Sequence, residues 1–286
     1  MVTIEKLLKD GVNIIKKRDY NNPFLDVQLI LSYLLKKDRI YLHLNKDEEV
    51  DAEVSNLFYR MVEKRDRGYP LQYMIKSQEF MGLKLYIQEG VLIPRPDTEI
   101  LVEKIIKFVN NSNLKNKQLK VLDIGTGSGA IAVSLAHFLA KADVTAIDVS
   151  DIALQTAEIN KNNHNLKNMR VIKGDIFEKL EVYDKFDIVV SNPPYIENNI
   201  IDKLPLEVSN YEPRLALDGG LDGLDFYRQI VRVFKEIHSK NSILAVEIGY
   251  NQKEKVMEIF NNINLFDKIE SDKDLNGNDR VVTGFL

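Results

Sequence analysis

The stretch Val121-Leu122-Asp123-Ile124-Gly125-Thr126-Gly127-Ser128-Gly129-Ala130 constrains the fold more than any other part of the chain. Its apolar start suits a buried strand. The three alternating glycines let the backbone turn tightly and approach a ligand with no β-carbon in the way, and a helix can open at Ala130. Downstream, short apolar runs alternate with helical stretches, the pattern of a mostly parallel α/β sheet with helices on both faces. We read seven strands, at 120–124, 144–148, 170–173, 186–191, 243–248, 266–271 and 280–285, forming a doubly wound, Rossmann-like sheet. The last two are expected to pair antiparallel, because the connection is short and Asn276-Gly277 is a turn signal.

Upstream, apolar residues recur at helical spacing, as in Ile4, Leu7, Leu8, Val12 and Ile15. This predicts a small all-helical domain over residues 1–76, with Pro23 in the first turn of a second helix and a long helix from about residue 51. Around Gly82 the period changes, with Phe80, Leu83, Leu85 and Ile87 approaching alternation, so 77–96 reads as a β-hairpin linker and 97–286 as the main domain. Asp97 or Thr98 is expected to cap a helix running to about Val109.

Composition excludes several classes. With 44% hydrophobic and 29% charged residues the chain is neither disordered nor membrane-spanning in character. Its net charge of -4 argues against a surface that is wholly a phosphate-binding field, and 14 basic against 12 acidic residues through Lys76 leave the helical part without a nucleic-acid footprint. Cysteine is absent, which removes disulfides and thiolate chemistry, and four scattered histidines suggest no metal site. Glu5, Lys6 and Lys9 interrupt any apolar signal-peptide core, so a cytoplasmic location is expected.

The glycines fit two cofactor classes. Gly125, Gly127 and Ala130 satisfy a dinucleotide pattern, and Asp148, ending the next strand, suits ribose hydroxyls in either case. Asp123 tilts the choice: a carboxylate before the loop would repel pyrophosphate but suits the positive charge of S-adenosylmethionine. Thr126, Ser128 and Gly129 complete the loop. Asp175 is placed to accept a hydrogen bond from an adenine amino group, with Ile176 or Phe177 covering the ring.

After the fourth strand comes Ser191-Asn192-Pro193-Pro194-Tyr195. Ligands in doubly wound sheets bind beyond the carboxyl ends of the strands. Two prolines stiffen this exit and remove two N–H donors, leaving acceptors for a substrate NH2 group. An amide nitrogen is a poor nucleophile because its lone pair is delocalised. Acceptors at Asn192 Oδ1 and the Pro193 carbonyl would favour the pyramidal, attacking geometry without a titrating base. Tyr195 is expected to pack on the substrate plane, and Pro194 to line the same site.

Asn192-Pro193-Pro194-Tyr195 occurs across class I amino-methyltransferases that act on DNA adenine, RNA bases or glutamine amides. Phe80-Met81-Gly82-Leu83, Val91 to Glu99, the run Ala216-Leu217-Asp218-Gly219-Gly220-Leu221-Asp222-Gly223-Leu224-Asp225, and Glu247-Ile248-Gly249 resemble the release-factor glutamine methyltransferase family over nearly the whole chain. The resemblance implies N5-methylation of the glutamine in the Gly-Gly-Gln tip of class 1 peptide chain release factors. In that reading 125–129 and Asp148 bind S-adenosylmethionine, and 192–195 hold the glutamine. The chain departs from the family pattern at Asp97, where glutamate is common, and at Ile176, where tryptophan is common. Arg95 and Glu99 are candidates for the substrate entrance, and Glu247 for reaching the site. The competing readings are a nucleic-acid base methyltransferase, a nicotinamide oxidoreductase, which leaves 192–195 without a role, and a non-catalytic adaptor.

Overall fold

A computed structural model describes residues 2–19, 21–178 and 184–286, with the side chain of Asn113 also left aside. The chain divides into two compact units, one of residues 1–77 and 204–211, the other of residues 78–203 and 212–286.

In the first unit the helices are α1 (Ile4–Ile14), α2 (Pro23–Leu35), α3 (Arg39–Leu44), α4 (Ala52–Asp66), α5 (Leu71–Ile75) and, supplied later by the chain, α9 (Leu206–Ser209). A two-stranded ladder joins β1 (Val2–Thr3) to β2 (Glu49–Val50). Local chemistry sets the helix starts: Thr3, Asn22, Asp38 and Asp51 each accept a backbone N–H of the first turn through their side chains. Pro23 sits in the first turn of α2 as the sequence predicts. The helices pack closely at Gly11, where a β-carbon would lie 2.8 Å from Val27 and 2.9 Å from Phe58. Arg65, only 3% exposed, donates to Asp26 at 2.7 Å, to the Tyr69 carbonyl at 3.1 Å and to Glu207 of α9 at 2.8 Å.

The hairpin of β3 (Ser77–Phe80) and β4 (Leu83–Tyr86) belongs, but for Ser77, to the second unit. Met81 and Gly82 both take positive φ at its turn, 52° and 71°, which matches the right-handed twist of the strands. The seven-stranded sheet comprises β5 (Leu119–Ile124), β6 (Ala142–Asp148), β7 (Met169–Lys173), β8 (Phe186–Ser191), β9 (His238–Glu247), β10 (Lys268–Lys273) and β11 (Asp279–Phe285). Its order is β10-β11-β9-β8-β5-β6-β7, parallel from β9 through β7, with β11 antiparallel to both neighbours. The order reverses at β5, so the loops after β5 and β8 open at a topological switch point. Helices α6 (Glu99–Asn110), α7 (Ala130–Phe138), α8 (Asp151–Asn163), α10 (Asp225–Ile237) and α11 (Lys253–Asn262) complete the unit.

Several strand boundaries differ from the sequence reading, two of them for a reason visible in the packing. The fifth strand starts at His238 rather than 243, because the chain pairs with Phe186 directly on leaving α10. The sixth starts at Lys268 rather than 266: Phe266 leaves the ladder and stacks on Phe234 and Phe260, with ring centroids 5.5 and 5.1 Å apart. An aromatic ring gains more from that fully apolar core than from an edge strand.

Candidate functional site

The turn after β5 is a left-handed cradle, with φ of 69°, 56° and 81° at Gly125, Gly127 and Gly129. Gly125 and Thr126 both donate their N–H to the Ile147 carbonyl at 2.9 Å. The next strand end completes the fastening. Asp148 accepts the Gly127 N–H through Oδ2 and the Ser150 N–H through Oδ1, each at 2.9 Å, and burial raises its pKa. A β-carbon on Gly125 would meet no protein atom within 4 Å, whereas one on Gly129 would lie 3.1 Å from Ala157. Gly125 therefore leaves room for a ligand, and Gly129 lets α7 pack on α8.

A cavity of about 380 Å³ opens over this turn, walled by 125–128, Asp148, Asp175, Ile176 and Ser191 to Pro194, and also by Thr98, Arg95, Pro213, Leu215 and Ala216. The glycine turn and the Asn-Pro-Pro exit of β8 thus share one chamber. Asp175 accepts the Phe177 N–H at 2.8 Å, while Phe177 packs edge-on against Phe226 with centroids 5.1 Å apart.

Three expected contact residues stand behind the wall instead of in it: Asp123, Gly129 and Tyr195. Asp123 is wholly buried. Its Oδ2 accepts from Thr126 Oγ1 at 2.6 Å and from the Ala132 N–H at 3.2 Å, and its Oδ1 has no partner among the described residues. Burial pushes its pKa up to about 7, against the lowering by those two hydrogen bonds. Tyr195 turns away because the stiff proline pair aims it into the core under α10, where its hydroxyl lies 3.4 Å from Glu247 Oε1. Burial raises its pKa, so the group is a neutral phenol.

Asn192 donates from Nδ2 to Thr98 Oγ1 at 3.0 Å. Of the two residues expected to cap α6, Asp97 and Thr98, it is Thr98 that stands at the N-cap position, but its side chain makes no cap hydrogen bond and its hydroxyl accepts from Asn192 instead. Glu247 is 1% exposed, and burial pushes its pKa up to about 7, against the charge of Arg280 and a hydrogen bond from the Tyr195 hydroxyl. Arg95 grips Glu212 with both carboxylate oxygens 2.7 Å from Nη2. Glu99 does not face the cavity: its Oε1 accepts the Met81 N–H at 2.6 Å and so pins the hairpin turn.

The run from Leu217 to Gly223 straps the exit of β8. Ile196 and Gly219 exchange backbone bonds with this loop, at 3.0 Å to the Leu217 carbonyl and 2.8 Å from Gly219 N–H to the Ile196 carbonyl. A β-carbon on Gly219 would lie 2.8 Å from Tyr195 Cα, and one on Gly223 would lie 2.4 Å from the Tyr195 carbonyl oxygen. Gln252, 7% exposed, donates to the carbonyls of Tyr195 (2.9 Å) and Gly223 (3.2 Å) and accepts the Gly249 N–H at 3.0 Å. Asn160 does similar work for the hairpin, bonding Tyr86 N at 2.6 Å, Tyr86 O at 2.9 Å and Ser128 O at 2.9 Å. No local pattern singles out either residue: Asn160 sits in α8 and Gln252 at the N-cap of α11, and both stretches read as ordinary surface.

A Rossmann-like sheet with a glycine cradle and an Asn-Pro-Pro exit at its switch point defines a methyltransferase domain. Residues 115–268 match the family described as methyltransferase domain, and residues 6–75 match the PrmC N-terminal domain. The chain is 40% identical over 281 residues to the release factor glutamine methyltransferase of Clostridium acetobutylicum, covering 98% of this chain and 97% of that one. To the protein of the same name from Clostridium botulinum it is 37% identical, covering 98% of each. The chain belongs to the release factor glutamine methyltransferase family. Among solved structures, the catalytic domain of human Mettl16 in complex with the MAT2A 3′UTR hairpin 6 aligns with a TM-score of 0.56 at 20% identity, covering 78% of this chain and 81% of that one. At that identity the likeness is one of fold.

Proposed function

We propose that this protein transfers the methyl group of S-adenosylmethionine to the side-chain amide nitrogen, N5, of the glutamine in the Gly-Gly-Gln motif of class 1 peptide chain release factors. The observation that carries the reading is that the glycine turn and the residues Asn192, Pro193 and Pro194 wall the same cavity. The donor fits the residues present. Gly125 and Gly127 leave a cradle that β-carbons would narrow, Asp148 and Asp175 offer carboxylate acceptors for ribose hydroxyls and an adenine amino group, and Ile176 supplies an apolar wall. The buried carboxylate of Asp123 lies directly under the turn and favours a cationic ligand over pyrophosphate.

When bound, the sulfonium donor supplies an electrophilic methyl group. The protein's own part is to hold the glutamine amide in line with it and to draw on both of its N–H bonds, from Asn192 Oδ1 and the Pro193 carbonyl. Orientation of this kind accounts for much of the rate of a two-substrate transfer, and fixed dipoles cost no reorganisation in the transition state. Tyr195, bound to the core, keeps the exit of β8 rigid and acts on the substrate through Pro194.

In the same reading the helical unit recognises the body of the release factor. The enzyme works on cytosolic, soluble substrates, in keeping with described helices none of which is long and apolar enough to cross a membrane. Nucleic acid is not the substrate, in keeping with the net charge of -4.

The test is transfer of labelled methyl to a purified release factor, beside the same factor with the Gly-Gly-Gln glutamine changed to alanine, and beside DNA and RNA. Label on the unmutated factor alone is expected. Label on nucleic acid would overturn the substrate while keeping the donor site. Asn192→Ala is expected to abolish turnover with the donor still bound.

A further inference from the structure

The two ligands of the proposed reaction differ in charge. The Gly-Gly-Gln tip has no ionised side chain, whereas the donor carries a sulfonium, an α-ammonium and one full anion, its α-carboxylate. Taking a carboxylate out of water is costly unless a cation receives it.

The cavity offers one such cation. Of the described residues in its wall, Asp148 and Asp175 are anionic and Arg95 alone is cationic. Sheet order fixes where each stands. Strands β7, β6, β5 and β8 lie side by side, and beyond their carboxyl ends come, in turn, Asp175, Asp148, the glycine turn and Asn192. The acceptors read as holding adenosine are thus at one end of the row and Asn192 at the other, up to three strand spacings away, about 14 Å. The segment carrying Arg95 arrives at the Asn192 end. The Thr98 N–H donates to the Arg95 carbonyl at 3.1 Å, and the Thr98 hydroxyl accepts from Asn192 Nδ2 at 3.0 Å.

Glu212 holds the guanidinium from behind. Its two oxygens both accept from Nη2, at 2.7 Å each, and its side chain is 1% exposed and stands outside the cavity wall. This hold occupies one terminal nitrogen. Nε and Nη1 have no partner among the described residues, and the Arg95 side chain is 36% exposed. Their N–H groups form a planar fork that matches a second carboxylate.

We propose that Arg95 binds the α-carboxylate of the donor. The one cation of the wall meets the one full anion that the two ligands bring, at the end of the chamber opposite the adenosine acceptors. The inference rests on the reading of this cavity as the site of S-adenosylmethionine.

The experiment is calorimetric titration of the full-length enzyme with three ligands that share the adenosine part. They are S-adenosylhomocysteine, its decarboxylated analogue, which keeps the amine, and 5′-methylthioadenosine, which has no amino-acid tail. Arg95→Met removes the charge and keeps most of the length. It is expected to weaken S-adenosylhomocysteine about 10- to 100-fold, the range for hydrogen bonds to a charged group, and to leave the other two within about threefold. Arg95→Lys keeps a cation without the fork, so its loss should be smaller and equally confined to the ligand with the carboxylate; this variant carries the test if the methionine protein does not fold. A loss shared equally by all three ligands in either variant, or undiminished affinity for S-adenosylhomocysteine in Arg95→Met, would overturn the assignment. Undiminished donor affinity together with a raised KM for the release factor would place Arg95 at the substrate entrance. A wild-type protein that binds none of the three ligands would instead sink the donor reading beneath it.

Discussion

The Asp148 carboxylate holds the Gly127 N–H at 2.9 Å while facing the cavity, so the group that closes the glycine turn is also the one set to greet a ligand. Its two roles cannot be separated by truncation. Asp148→Ala is expected to weaken donor binding about 10- to 100-fold, corresponding to roughly 1.5–3 kcal/mol for hydrogen bonds to a charged group. Asp148→Asn keeps one acceptor and should fall between. Calorimetric titration with S-adenosylmethionine measures both, and equal affinity in wild type and the alanine variant would remove the role.

Gly223 and Gly127 both have positive φ, 71° and 56°, but only Gly223 has backbone 2.4 Å from where a β-carbon would stand. Gly127→Ala is expected to cost stability about 1 kcal/mol, the ordinary penalty of an alanine in left-handed conformation. Gly223→Ala must displace the Tyr195 carbonyl and should cost more, about 2–4 kcal/mol, and lower turnover by shifting the exit of β8. Urea unfolding of the two variants gives the comparison, and equal costs would show that the strap yields easily.

Burial raises the Asp123 pKa from its ordinary 3.8 to about 7, so in this interval the native state binds a proton that the unfolded chain has lost. Stability of the ligand-free protein should therefore decline as pH rises from about 4 to about 7, by up to roughly 4 kcal/mol from this group. Asp123→Asn should flatten that decline, with a higher Tm than wild type at pH 8 and little difference near pH 4. Thermal unfolding across this range tests it. Parallel curves would mean that the charge is accommodated. The same variant should bind the cationic donor less well.

Ile40 and Leu44 lie one turn apart on α3 and are 70% and 76% exposed. If the helical unit recognises the body of a release factor, an apolar pair of this kind is a natural contact. Changing both to aspartate is expected to raise KM for the intact factor at least about tenfold and leave KM for a short Gly-Gly-Gln peptide unchanged. Equal effects on the two substrates would place the recognition elsewhere.

The glycine cradle, Asp148 and the Asn-Pro-Pro exit could be read from sequence because each is a local device: the residue types that make the turn are the ones that make the site. The alternation of strands and helices and the antiparallel pair β10 and β11 were legible for the same reason, through periodicity and Asn276-Gly277. What stayed hidden depends on residues distant in sequence. Thr98 and Asn192 are 94 positions apart, and nothing near Thr98 distinguishes a helix cap from a partner for an amide. Tyr195 reads as part of the cavity wall because Asn192, Pro193 and Pro194 beside it are, yet the ring packs against the core instead. Phe266 likewise reads as strand until Phe234 and Phe260 are known to lie beside it.

The helical unit draws Glu207 and Tyr211 from a stretch that follows the β8 exit, and Arg65 and Tyr69 are their partners. Such a unit is not a cassette. A recombination event that cut the chain near residue 77 would carry away five helices and leave behind the sixth, stripping a buried guanidinium of one of its carboxylates. Exchange of this unit between relatives would have to carry two separated tracts at once.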